Sequence, residues 1–282
     1  MTGSRASKLV EPKLLTAGRL GCEENNMNMQ TTAGTIKPED YVDEHGRYAP
    51  YEYWLSTCGL YEFYDTSLDL LGELSGKKLI DCGCGIGHTA VMFAKRGAEV
   101  TAFDVDQDNV DKARALAAAN GVTVEISRQD FEAPDFPEAS FDLAFGSCVI
   151  HHVDGGRAGA VLGRLLKPGG RAVFIENSAR NPVLMLARRH LVGTLGIPKY
   201  GDDEEEHPLT KAEIQGVRDS FPGRMEIIYP SLVLFRLIDF YITQRRWRGM
   251  TAFLRGLDDI LGRIPWLRPF GYFQIIILEK HK

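Results

Sequence analysis

The stretch Leu79-Ile80-Asp81-Cys82-Gly83-Cys84-Gly85-Ile86-Gly87-His88 runs from an apolar strand-like segment into a helical pattern. Glycine at Gly83, Gly85 and Gly87 lets the chain turn tightly and approach a ligand with no side chain in the way. The helix that follows presents unpaired N–H groups and the positive end of its dipole, so the loop suits a carboxylate or a phosphate. A dinucleotide fingerprint needs its third glycine where His88 stands, and a P-loop needs a G-K-[ST] that is absent here. The pattern is G-x-G-x-G.

Acids surround that loop. Asp104 ends the next strand, where a carboxylate can accept both hydroxyls of a ribose and repels a 2′-phosphate. Val105 beside it offers an apolar surface to a purine. Asp130 closes the third strand and could accept an exocyclic amino group, with Phe131 flanking the ring. Asp81 could help hold an ammonium group. Ser147 and Cys148 end the fourth strand and read as pocket lining, since no base and orienting partner can be assigned to either. His151 and His152 follow, where a tunable base would sit. Glu176 ends the fifth strand, so its carboxylate is expected to point at the acceptor side. These three are the catalytic candidates; packing and turn roles compete with each.

The elements that must position these groups alternate regularly. Lys78–Cys82, Glu99–Val105, Val122–Ser127, Phe141–Cys148 and Arg171–Glu176 read as strands. Helical patterns lie between them, one capped by Asp106 and another stopped by Lys167-Pro168-Gly169-Gly170. Strands alternating with helices imply right-handed βαβ units and a parallel sheet. Residues 1–40 are polar and aperiodic and read as a flexible arm. Residues 41–76, rich in tyrosine, read as a helical lid, and 77–282 as the main domain with a substrate-side insertion at about 181–224. Met225–Phe235 and Gly271–Glu279 are strand-like.

The bulk numbers of the 282-residue chain set limits. Apolar residues make up 44% and charged residues 25%, ordinary for a soluble globular domain. A net charge of −5 argues against nucleic acid as a partner. Five scattered cysteines suggest neither a disulfide framework nor a zinc site, and no metal is expected. Neither a leader pattern nor ~20 continuous apolar residues is present, so a soluble, cytoplasmic protein without a membrane span is expected.

Asp81-Cys82-Gly83-Cys84-Gly85-Ile86-Gly87, Phe103-Asp104-Val105-Asp106, Gln129-Asp130-Phe131, Phe141-Asp142-Leu143-Ala144-Phe145 and Leu166-Lys167-Pro168-Gly169-Gly170 together resemble the class I S-adenosylmethionine-dependent methyltransferase family. The resemblance covers residues 75–180 closely. It implies a doubly wound, mostly parallel seven-stranded Rossmann-like sheet of order 3-2-1-4-5-7-6, its last strand antiparallel, with added N-terminal helices and a helical insertion after strand five. It also implies S-adenosyl-L-methionine as cofactor, with Gly83, Gly85 and Gly87 against the methionine part, Asp104 on the ribose and Asp130 on the adenine. The expected activity is methyl transfer to a small-molecule acceptor, an apolar or amphipathic specialised metabolite such as a terpenoid, polyketide or quinone-like compound. An RNA methyltransferase and a non-catalytic cofactor-binding module are the alternatives. Oligomeric state is left open.

Overall fold

The computed structural model describes residues 60–191, 193–194, 207–243 and 246–282. The expected arm and residues 41–59 of the expected lid lie outside these, as does the acidic run Asp202 to Glu206. Strands β1 (Lys78–Cys82), β2 (Glu99–Asp104), β3 (Val124–Arg128), β4 (Phe141–Ser147), β5 (Leu166–Asn177), β6 (Gly223–Ile228) and β7 (Phe273–Lys280) form a sheet of order 3-2-1-4-5-7-6. The first five run parallel, and β7 lies antiparallel to both β5 and β6.

Helices cover both faces, which is why the central strands read as almost unbroken apolar runs. Alternate residues feed two cores. Phe145 and Ile175 join one with α1 (Tyr61–Leu71), α2 (His88–Ala94) and α3 (Gln107–Ala119). Ala144 and Phe174 join the other with α4 (Gly155–Leu165) and α6 (Lys211–Ser220), while α5 (Pro182–Leu191) follows β5. Asp106 caps α3 and Asp154 caps α4, accepting from Asp108 N and Arg157 N. Each such cap is worth about 1 kcal/mol.

The last third departs from the expected boundaries. The sixth strand stops at Ile228, not Phe235, because Pro230 has no N–H for a ladder. Phe235 instead opens α7 (Phe235–Ile238), which continues into a π turn over Asp239–Thr243. The buried Asp258 of α8 (Arg248–Leu261) accepts from the N–H groups of Leu234, Phe235 and Arg236 and so caps α7 from a distance. The side chain of the same Arg236 pairs with Glu62 at 3.1 Å and ties α7 to α1.

Candidate functional site

The carboxyl ends of β1 and β4, with α1 and the start of α2, surround a cavity of about 230 Å³ bordered by Gly83, Gly85, His88, Thr89, Ser147 and Tyr64. The loop behind it is pinned. A Cβ on Gly83 would stand 2.4 Å from Val149 Cγ2, and one on Gly87 2.7 Å from Ala113 Cβ. At Gly85, with φ +51°, a Cβ would meet nothing within 4 Å. The loop is therefore closed on the protein side and open on the cavity side. Cys84 N donates to Phe103 O at 2.9 Å and Gly85 N to Asp104 Oδ2 at 2.8 Å, fixing β1's loop to the tip of β2.

Asp104 is itself held in place. Its Oδ1 accepts from Asp106 N at 3.0 Å and Asn109 Nδ2 at 3.2 Å. A carboxylate has about four acceptor positions. Three are taken, so one ribose hydroxyl can be accepted where two were expected. Val105, just past it, is exposed. Asp130 is exposed and uses Oδ1 to accept from Glu132 N. Phe131 is not a flanking ring. It is buried, edge-on to Phe103 and stacked on Phe174, because the turn after β3 directs it into the α4-side core.

Asp81 does not reach the cavity surface. It is 1% exposed and accepts from Thr89 Oγ1 at 2.6 Å. Burial raises its carboxyl to about 7, with Thr89 opposing and Asp104 adding to the rise. Burial likewise lowers His88 to about 4, which keeps that ring neutral beside any cationic ligand. Cys82 and Cys84 are pushed far above the ordinary thiol range by burial, which removes them as nucleophiles.

A raised acid binds its proton more tightly folded than unfolded. The folded state therefore loses stability as pH rises from about 4 to about 7. The loss in that window is about 1.4 kcal/mol per pH unit at most. Asp81→Asn is expected to flatten this slope in urea titrations run across the same range. An unchanged slope would show that Asp81 is ionised throughout.

Glu176 also differs from expectation. Instead of facing an acceptor it is fully buried. Its Oε1 accepts from Val149 N at 2.9 Å and Ile150 N at 2.7 Å, and its Oε2 meets His151 Nδ1 at 2.9 Å. The carboxylate thus clamps the loop after β4 and orients a histidine. His151 Nε2 is buried with no hydrogen-bond partner among the described residues. His152 is exposed, its ring 4.1 Å from that of His151. Ser147 lines the cavity as expected, and its Oγ lies 3.0 Å from the hydroxyl of Tyr64 on α1. Tyr64 falls in the tyrosine-rich segment expected to form a helical lid, where nothing in the sequence singles it out. Among the described residues no group of His, Cys, Asp or Glu is arranged to hold a metal ion.

A second cavity of about 560 Å³ opens beyond the carboxyl end of β5, between α5, α7 and the start of β7. It is lined by Leu184, Ala187, Leu234, Leu237, Phe270 and Tyr272, among others. No spacing rule announces it, since its walls come from three distant segments.

The residues of the first cavity, together with the tip of β2 hydrogen-bonded to its glycine loop, fit S-adenosyl-L-methionine. An open glycine backbone can meet an amino-acid carboxylate, Asp104 a ribose hydroxyl and Val105 a purine face. Residues 80–174 match the family described as "Methyltransferase domain". The chain is 31% identical over 157 residues to a ubiquinone biosynthesis O-methyltransferase of Aeromonas salmonicida, covering 53% of this chain and 64% of that protein. It is 35% identical over 119 residues to the S-adenosyl-L-methionine-dependent Diels-Alderase iccD of Talaromyces variabilis, covering 39% and 41%. The chain therefore spans less than two thirds of these curated relatives. Among solved structures, the YcgJ protein of Bacillus subtilis superposes with a TM-score of 0.56 at 20% identity, over 79% of this chain and 99% of that one. The geranyl diphosphate C-methyltransferase of Streptomyces coelicolor A3(2) gives 0.53 at 16%, over 82% and 80%. Sheet order, glycine loop and matched segment agree: residues 80–174 match a methyltransferase domain, set in the seven-stranded Rossmann-like fold of the class I S-adenosylmethionine-dependent methyltransferases.

Proposed function

We propose that the chain moves the methyl group of S-adenosyl-L-methionine onto an apolar or amphipathic small molecule. The observation that carries this reading is the placement of two cavities along one edge of the sheet. The glycine cradle lies beyond β1, and the apolar cavity lies beyond β5 and β7. Strands are ~4.8 Å apart, so the two are separated by roughly 10 Å, the scale of a small acceptor. Apolar walls with few polar groups suit a hydrophobic body with one reactive end.

The cofactor supplies an electrophilic methyl on a sulfonium. The chain's own residues would align, dry the site and manage a proton. Gly83, Gly85 and Gly87 would receive the methionine part, Asp104 the ribose, Val105 and Asp130 the base, and Ser147 with Tyr64 would border the reacting end. Asp81 would act from beneath through Thr89 and the loop. His151, oriented by Glu176 at Nδ1, would offer Nε2 to the proton of an acceptor hydroxyl; His152 beside it is the reserve candidate. Glu176 is then a positioning residue, not a catalytic one.

A second reading comes from the two relatives named as S-adenosyl-L-methionine-dependent Diels-Alderases, 35% and 34% identical over their matched parts. The donor would then be bound without being consumed. Incubation with donor and a fractionated pool of terpenoids, polyketides and quinones, followed by mass analysis, separates the two. Methyl transfer gives a product heavier by one methylene and a demethylated donor. A product of unchanged mass with intact donor supports the second reading, and turnover only of polar amines, sugars or RNA overturns the acceptor class.

Asp104→Ala is expected to weaken donor binding by about 1–3 kcal/mol, the scale of a lost charge-assisted hydrogen bond. Calorimetry with the demethylated donor measures this without turnover. Unchanged affinity would move the ribose elsewhere.

A further inference from the structure

Large apolar side chains left exposed among the described residues cluster in one part of the chain. Apart from Val105, all lie between Val183 and Phe270. Val183 on α5, Ile242 on the π turn, Trp247 before α8, Phe253 and Ile260 on it and Trp266 after it are each more than half exposed. On α8, Met250, Phe253, Leu257 and Ile260 recur at i, i+3, i+7 and i+10, which places them on one stripe. The neighbouring stripe, with Leu254 and Asp258, is the one turned inward. The helix therefore carries a second apolar face that nothing described covers.

Charge is distributed unevenly as well. Residues 235–270 hold seven arginines against three aspartates, in a chain whose net charge is −5. Two of those acids, Asp239 and Asp258, are buried, and one of the arginines, Arg236, is 12% exposed and pairs with Glu62 and Asp258. The acids Asp202 to Glu206 belong to another segment, outside the described residues. Exposed tryptophan, aliphatic side chains and arginine on and beside one amphipathic helix match the interface of an anionic bilayer. RNA would use the arginines and aromatic rings but gains nothing from exposed Val183, Ile242 and Ile260. We infer that α8 and its flanking tryptophans dock this protein on an anionic membrane surface. No described helix is long and apolar enough to cross a membrane, so α8 lies in the plane of the interface.

The rim of the 560 Å³ cavity shares this set of side chains, since Val183, Ile238, Ile242 and Phe270 both line it and are exposed. On the proposed function, a bilayer-dissolved acceptor would enter there.

Vesicle flotation with the full chain, without donor or acceptor, tests the docking alone. Phosphatidylcholine vesicles with phosphatidylglycerol should bind the protein, pure phosphatidylcholine less, and added salt should weaken the binding. The double variant Trp247→Ser, Phe253→Ser should lose at least about tenfold in vesicle affinity, since both removed rings are exposed, with an unchanged melting curve. The inference is overturned by absence of vesicle binding. It is equally overturned by binding that the double variant leaves intact, by retention of RNA in place of vesicles, or by a dimer that forms with rising concentration and ignores lipid. None of these results bears on methyl transfer, which the mass assay reads separately.

Discussion

One methyl group at residue 85 is expected to abolish tight donor binding while leaving the fold in place. Gly85→Ala puts a Cβ where no protein atom lies within 4 Å, so the substitution meets no packing obstacle. Its φ of +51° still penalises an L side chain, by about 1 kcal/mol. The added methyl would project on the open side of the loop, into the cavity that Gly85 borders. A ligand approaching that backbone closely would lose at least about tenfold in affinity, or 1.4 kcal/mol. Gly83→Ala provides the contrast. There the Cβ falls 2.4 Å from Val149 Cγ2 at φ +63°, and strain plus overpacking destabilise the fold by about 3 kcal/mol. Urea unfolding and calorimetry with the demethylated donor, run on both variants, should separate binding from folding. If Gly85→Ala binds as tightly as the parent, the cradle is not where the donor sits.

The second large effect is expected at Glu176. Alanine there strands the N–H groups of Ile150 and of the partly buried Val149, and the buried Nδ1 of His151. Breaking a buried pair in this way costs about 3–5 kcal/mol, a large share of a domain's stability. Glu176→Gln is the sharper probe. Its amide oxygen can still accept from the two N–H groups, so the fold should hold. Its NH₂ group would face His151 Nδ1 and force the proton onto Nε2, the nitrogen proposed to act as base. Turnover of a hydroxyl acceptor should then fall about 10²–10⁴-fold, and the acidic limb of its pH profile should change shape. A variant that folds and keeps both rate and profile would reduce Glu176 to a structural clamp and leave His151 without a catalytic part.

Much of the fold was legible because its signals are local. Strand-length apolar runs alternate with helical patterns from Lys78 to Glu176, and the cap at Asp106 holds as a side-chain hydrogen bond. The cradle was legible for the same reason: Gly83, Gly85 and Gly87 act through backbone geometry, which residue type states directly. Where reading failed, the deciding partner lay far along the chain. Phe131 looked like a ring beside a ligand, but Phe103 and Phe174 draw it into the core. Glu176 looked like a strand-tip acid aimed outward, but β4's loop curls over it and supplies three partners.

Residue types and spacing by themselves determined a parallel αβ sheet with a glycine loop and an acid on the next strand, and through the whole set of motifs the family and its cofactor. Tertiary structure alone decided which acids face a cavity and which are consumed in holding loops. It also brought Tyr64 against Ser147, and it assembled an apolar cavity from α5, α7 and the start of β7. The reason is physical. Backbone conformation follows from neighbours in sequence, whereas the direction and burial of a side chain depend on groups that only packing brings within hydrogen-bond or van der Waals reach.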